Sequence, residues 1–122
     1  MVAIFVEGGG SLMADFSIRI RGAIPAEFVP ADGKPWQLAR LDDNIGWGNA
    51  TGATHQPWPA TPHGVPLPDA DVLGTPHFLS DEIPRRTASN PWRVTKSITT
   101  GNTIFYCCKL HEGEFGVIVI VE

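Results

Sequence analysis

The residues best able to do chemistry sit together near the end of the 122-residue chain, in "TIFYCCKLHEGEFGVIVIVE" (103–122). Both cysteines of the protein, Cys107 and Cys108, stand side by side there, with His111 three residues after the second and Glu114 three further on. On an extended strand successive side chains point to opposite faces, so Cys108 shares a face with Ile104 and Tyr106 while Phe105 and Cys107 point the other way. Cys108 and His111 then lie on one short loop, which offers a thiolate, an imidazole and, at Glu114, a carboxylate to a single cation. A turn glutamate is ordinarily only solvated, so both readings stand for Glu114. Cys107 reads as a small buried hydrophobe. Adjacent cysteines cannot bridge distant loops, and a ring between neighbours is strained, so no disulfide framework is expected.

A further donor must come from a distant part of the chain. "NIGWGNATGATHQPW" (44–58) supplies His55 at the end of a strand and turn, with His63 in "TPHGV" as its rival. His77, in "TPHFLS", reads as a surface or structural residue. Asn49-Ala50-Thr51 fits a glycosylation acceptor, which matters only in a eukaryotic secreted protein. The triple glycine at 8–10 precedes no phosphate-binding motif and reads as a flexible turn.

The elements that must hold these donors are strands. "DFSIRIRG" alternates, with Phe16, Ile18 and Ile20 on one face and Ser17, Arg19 and Arg21 on the other. Residues 36–41, 44–49, 91–98, 103–108 and 116–122 read as further strands, 99–102 as a turn, and 2–7 as an edge strand. No window of ten or more residues escapes proline or glycine well enough to form a helix. Residues 51–76 hold six prolines, and so long a stiffened connection is more often functional than idle. Trp36, Trp47 and Trp92 read as core, whereas Trp58 is placed either to shield the site or to serve as a docking surface. Six to eight short strands with turns between them predict one all-β sandwich domain spanning 1–122.

Nine Lys and Arg stand against thirteen Asp and Glu, and no basic run appears, so nucleic acid is not an expected partner. An apolar content of 43% sets the chain apart from disordered sequences. No stretch is long enough to span a bilayer, and the start lacks the pattern of a signal peptide.

With these residues in view, the sequence resembles the cupredoxins, the blue or type 1 copper proteins of the plastocyanin and amicyanin kind, over roughly residues 28–122. Their final hairpin reads aromatic-x-Cys-x-x-His, a short loop, then Met before a Gly and the last strand; here it is "FYCCKLHEGEFGVIVIV". Their other histidine follows a W-x-N pattern, here Trp47, Asn49 and His55. The resemblance implies a Greek-key β-sandwich whose trigonal copper plane is His55, Cys108 and His111. Counting back from Gly116, the family's axial Met falls on Glu114. Gln56 takes a position where the family often carries an Asn that steadies the cysteine loop.

The expected function is mononuclear copper binding with one-electron Cu(II)/Cu(I) transfer to protein partners, in the periplasm or another exported setting. Leu110, Phe115 and the Trp58 region offer an apolar approach. Cys-His-His-Glu is also an acceptable zinc set. Three other readings stand: a copper-trafficking module, a small copper enzyme with an exchangeable coordination position, and an interaction domain that has lost its metal.

Overall fold

The computed structural model describes residues 14–98 and 101–121. The expected edge strand at 2–7, the glycine turn at 8–10 and part of the turn at 99–102 lie outside the described residues. Among the described residues eight strands run in chain order: β1 (Asp15–Arg21), β2 (Glu27–Pro30), β3 (Gln37–Ala39), β4 (Asn44–Asn49), β5 (Pro57–Ala60), β6 (Trp92–Arg93), β7 (Thr103–Cys108) and β8 (Phe115–Ile120). A single helical turn, α1 (Asp69–Val72), follows β5. The strands form two four-stranded sheets ordered β2-β1-β4-β6 and β3-β8-β7-β5. The β1–β4 and β3–β8 pairs are parallel and the others antiparallel. This is the all-β sandwich expected from the strand pattern.

Alternation decides which side chains meet between the sheets. Ile18 and Ile20 of β1 turn inward while Arg19 and Arg21 face solvent. Ile45 and Trp47 of β4 pack beside them and meet Ile104, Tyr106, Cys108, Ile118 and Ile120 from the other sheet in one core. Tyr106 is central: its ring lies 4.9 Å from that of Phe28 and 5.5 Å from that of Trp47. Opposite it in the β7–β8 ladder is Gly116. A Cβ there would fall 2.2 Å from Tyr106 Cζ, against rigid ring atoms that have no free space. Gly116→Ala is therefore expected to destabilise the fold by about 3 kcal/mol, at the upper end for overpacking, read as a lower urea midpoint with an unchanged slope.

The proline-rich stretch differs from expectation. It contains β5, all four of whose residues are buried. The prolines are tolerated because β5 is an edge strand and Pro59 turns its carbonyl away from β7, toward the N–H of Leu67 at 2.9 Å. Trp58 is fully buried opposite Cys107, so it covers that thiol rather than offering a docking surface. Trp36 is 41% exposed and is not core. The strand expected at 91–98 is only Trp92–Arg93, because from Val94 the chain bonds to the Asp42–Asp43 turn instead of a ladder. No helix among the described residues is long and apolar enough to cross a membrane.

Candidate metal centre

Three chain segments bring donors to one end of the sandwich. The first is the connection from β4 to β5, which carries His55. Its backbone is clamped both ways to Ile83, His55 N–H to Ile83 O at 3.1 Å and Ile83 N–H to His55 O at 2.7 Å. The second is the end of β7, which delivers Cys108 on the core face. The third is the loop 109–113, which returns the chain to Glu114. That loop is closed by Cys108 N–H donating to Glu114 O at 3.1 Å, with Gly113 at φ +83°, a left-handed position suited to glycine. The N–H of Lys109 donates to Gln56 O at 2.9 Å and ties the loop to the His55 segment. Lys109 also pairs with Asp69 at 2.8 Å and sits over the Trp58 ring at 3.8 Å.

His55, Cys108, His111 and Glu114 each offer one ligand atom, and these atoms lie within 4.8 Å of one another. Cys108 Sγ is 3.7 Å from His55 Nδ1 and 3.5 Å from His111 Nδ1. Glu114 Oε1 is 3.3 Å from His111 Nδ1 and 2.8 Å from His55 Nδ1. Donors about 2.0–2.3 Å from one ion stand roughly 3.3–3.8 Å apart in tetrahedral or trigonal geometry, so the sulfur and His111 separations suit a bound cation. The residues present thus fit a mononuclear metal: a soft thiolate, two imidazoles and one carboxylate. His63 and His77 lie outside this cluster, and His63 is exposed.

Glu114 is fully buried, so the solvated-turn reading does not hold for it. Its Oε2 accepts the N–H of Ala26 at 2.7 Å, which leaves Oε1 to face the histidines. A buried carboxylate needs such partners, since leaving it unpaired would be strongly unfavourable. The backbone N–H of Gln56 points at the Cys108 sulfur at 3.4 Å. Its side chain bonds Ser80 O instead, so Gln56 steadies the loop through its backbone and not through its amide. Ala26 had no signal in the sequence, because it acts only through its backbone.

Burial holds the Cys108 thiol above its ordinary value of 9.0, and nearby Glu114 adds to this, while the amides of Gln56 and Leu110 oppose it. Burial, with Cys108 beside it, pushes Cys107 up to about 11. In the metal-free protein the folded state keeps these thiols protonated where the unfolded chain has already lost the protons. The contribution of each is complete below pH 9 and is lost at higher pH, for Cys107 as the pH rises toward 11. The melting temperature of metal-free protein is expected to fall steadily from pH 9 to 11, and to fall less in Cys107→Ser. An ion bound there would reverse the sign for Cys108, because it would take the thiolate and so bind more tightly as pH rises.

Neither a protein-family model nor a curated protein matches the chain. Among solved structures it is similar to Lac15 from a marine microbial metagenome, at 14% identity and a TM-score of 0.43. That match covers 89% of this chain and 32% of the other, so the chain spans about a third of the length of the protein it matches.

Proposed function

We propose that the protein is a cupredoxin-like mononuclear copper protein that carries one electron between redox partners, with Glu114 in the position where the family has methionine. The observation that supports this most is the convergence of His55, Cys108, His111 and Glu114 on one point from distant parts of the chain. Thiolate with two imidazoles suits copper, and copper(II) stands highest in the affinity order of the divalent ions. Copper bound there would supply a one-electron couple. His55, Cys108 and Glu114 are buried, whereas the His111 side chain is 20% exposed, so its ring edge is the route to solvent. Leu110, its neighbour in the chain and in the same cleft, is exposed and gives a partner an apolar approach. The hard, anionic carboxylate favours Cu(II), which lowers the potential relative to a thioether. The likeness to exported blue copper proteins also suggests an exported setting.

Titration with Cu(II), followed by visible spectroscopy and voltammetry, tests this. One equivalent of copper, an intense thiolate-to-copper band shifted from blue toward green or red, and a reversible couple are expected. Glu114→Met is expected to raise the potential and move the band back toward blue. Identical spectra and potentials in both proteins would remove Glu114 from the metal, and no stoichiometric copper would end the reading. Zinc competition belongs to the same experiment: copper is expected to displace zinc, and the reverse would make this a zinc site.

A second reading rests on a cleft of about 470 Å³ lined by Val65, Pro66, Cys108, Leu110 and His111, which leaves room for a small molecule beside the ligands. It suits a copper enzyme with an exchangeable position. Azide that alters the copper spectrum would favour it, and azide without effect would favour the carrier.

A further inference from the structure

The Asn49-Ala50-Thr51 triplet does not act as a glycosylation acceptor in this fold. Asn49 is 3% exposed, and its Nδ2 donates to Ala53 O at 2.7 Å, Ile83 O at 3.0 Å and Pro84 O at 3.2 Å. Those three carbonyls fix the amide with Oδ1 facing Thr51. There it accepts the Thr51 N–H at 2.9 Å and the Thr51 hydroxyl at 2.7 Å. Two oxygens that close must share a proton, and an amide oxygen has none to give, so the hydroxyl is the donor. Ala53 O, 3.1 Å from the same hydroxyl, is likewise only an acceptor.

The hydroxyl oxygen is then left with lone pairs alone, and it meets His55 Nε2 at 2.9 Å. That ring nitrogen must carry the proton. The other nitrogen, Nδ1, faces Cys108 Sγ and Glu114 Oε1, sharing a proton with that carboxylate until a cation takes its place. Which nitrogen of a histidine can bind a metal is set by what the other one bonds. We propose that Asn49 and Thr51 are positioning residues: the Thr51 hydroxyl, oriented by Asn49, fixes the proton on His55 Nε2 and so presents Nδ1 as the donor to the metal. The proposal rests on the metal-site reading for its purpose, but the proton's place on Nε2 is a property of the metal-free protein.

The test compares Thr51→Val, which keeps the shape and removes the hydroxyl, with Thr51→Ser, which keeps the hydroxyl. Long-range ¹H–¹⁵N NMR of the metal-free proteins reads the imidazole nitrogens directly. Wild type and Thr51→Ser are expected to show His55 Nε2 protonated and its proton slow to exchange, whereas Thr51→Val loses the slow exchange and shows a shifted nitrogen pattern. With copper, Thr51→Val is expected to bind about 10–100-fold more weakly, and Thr51→Ser within a few fold of wild type. A bare Nε2 in wild type, or nitrogen spectra unchanged in a folded Thr51→Val, overturns the proposal. If wild type binds no metal but the NMR contrast appears, the metal reading has failed and the assignment of the proton stands.

Discussion

Cys108→Ser is expected to weaken copper binding by about a thousandfold, roughly 4 kcal/mol, and to abolish the intense thiolate absorption, while Cys107→Ser leaves both nearly unchanged. The two thiols are neighbours in sequence and opposites in structure. Cys108 faces the core side of β7, 3.5 and 3.7 Å from the two imidazole nitrogens. Cys107 faces the outer side, opposite Trp58. A serine hydroxyl is a neutral, hard and shorter donor, so it neither replaces the thiolate's charge nor its softness. Melting of the metal-free variants provides the control, because each substitution puts a hydroxyl in place of a buried thiol and its fold cost must be known separately. Equal losses in the two variants would show that the sulfur is not the donor.

How far this was legible in the sequence depended on how local each feature is. The bounds of β4 and β7, residues 44–49 and 103–108, were readable because alternation marks them and turn residues flank them. β2 is four residues long and ends in Pro30, too short for a period to register. β5 was hidden because proline argues against strands in general, and only the sheet order shows that this one is an edge. Trp36 reads as core because large aromatic side chains usually bury, yet it lies just before β3 and stays exposed.

The candidate site divides in the same way. Cys108, His111 and Glu114 fall within seven residues, so one tight loop suffices to bring them together. His55 lies 53 residues from Cys108, and only the family pattern linked the two. Thr51 carries a weaker signal, a hydroxyl four residues before a candidate ligand histidine. Its role depends on where Asn49 points, which the nearby Ala53 carbonyl and the distant carbonyls of Ile83 and Pro84 decide.

Glu114→Gln is expected to separate metal binding from folding. Glu114 Oε2 accepts from Ala26 N–H, and Oε1 lies 2.8 Å from Nδ1 of His55, so one proton must bridge that pair when no cation does. A glutamine amide meets both demands without that proton: its oxygen accepts from Ala26 and its N–H donates to Nδ1. The metal-free variant should therefore melt within a few degrees of wild type. Its amide nitrogen, however, has no lone pair for an ion. With free copper at a thousand times the dissociation constant, loading should stabilise wild type by about 4 kcal/mol, and a hundredfold weaker variant by about 1.4 kcal/mol. At about 4 °C per kcal/mol for a chain of this length, the loaded shift falls from about 15 °C to about 5 °C. Equal shifts in both proteins would place Glu114 outside the coordination sphere, as a hydrogen-bond partner of the histidines. A collapse of the metal-free variant would instead show that the 114 side chain needs its negative charge for folding, and the bridging proton would have to be reassigned.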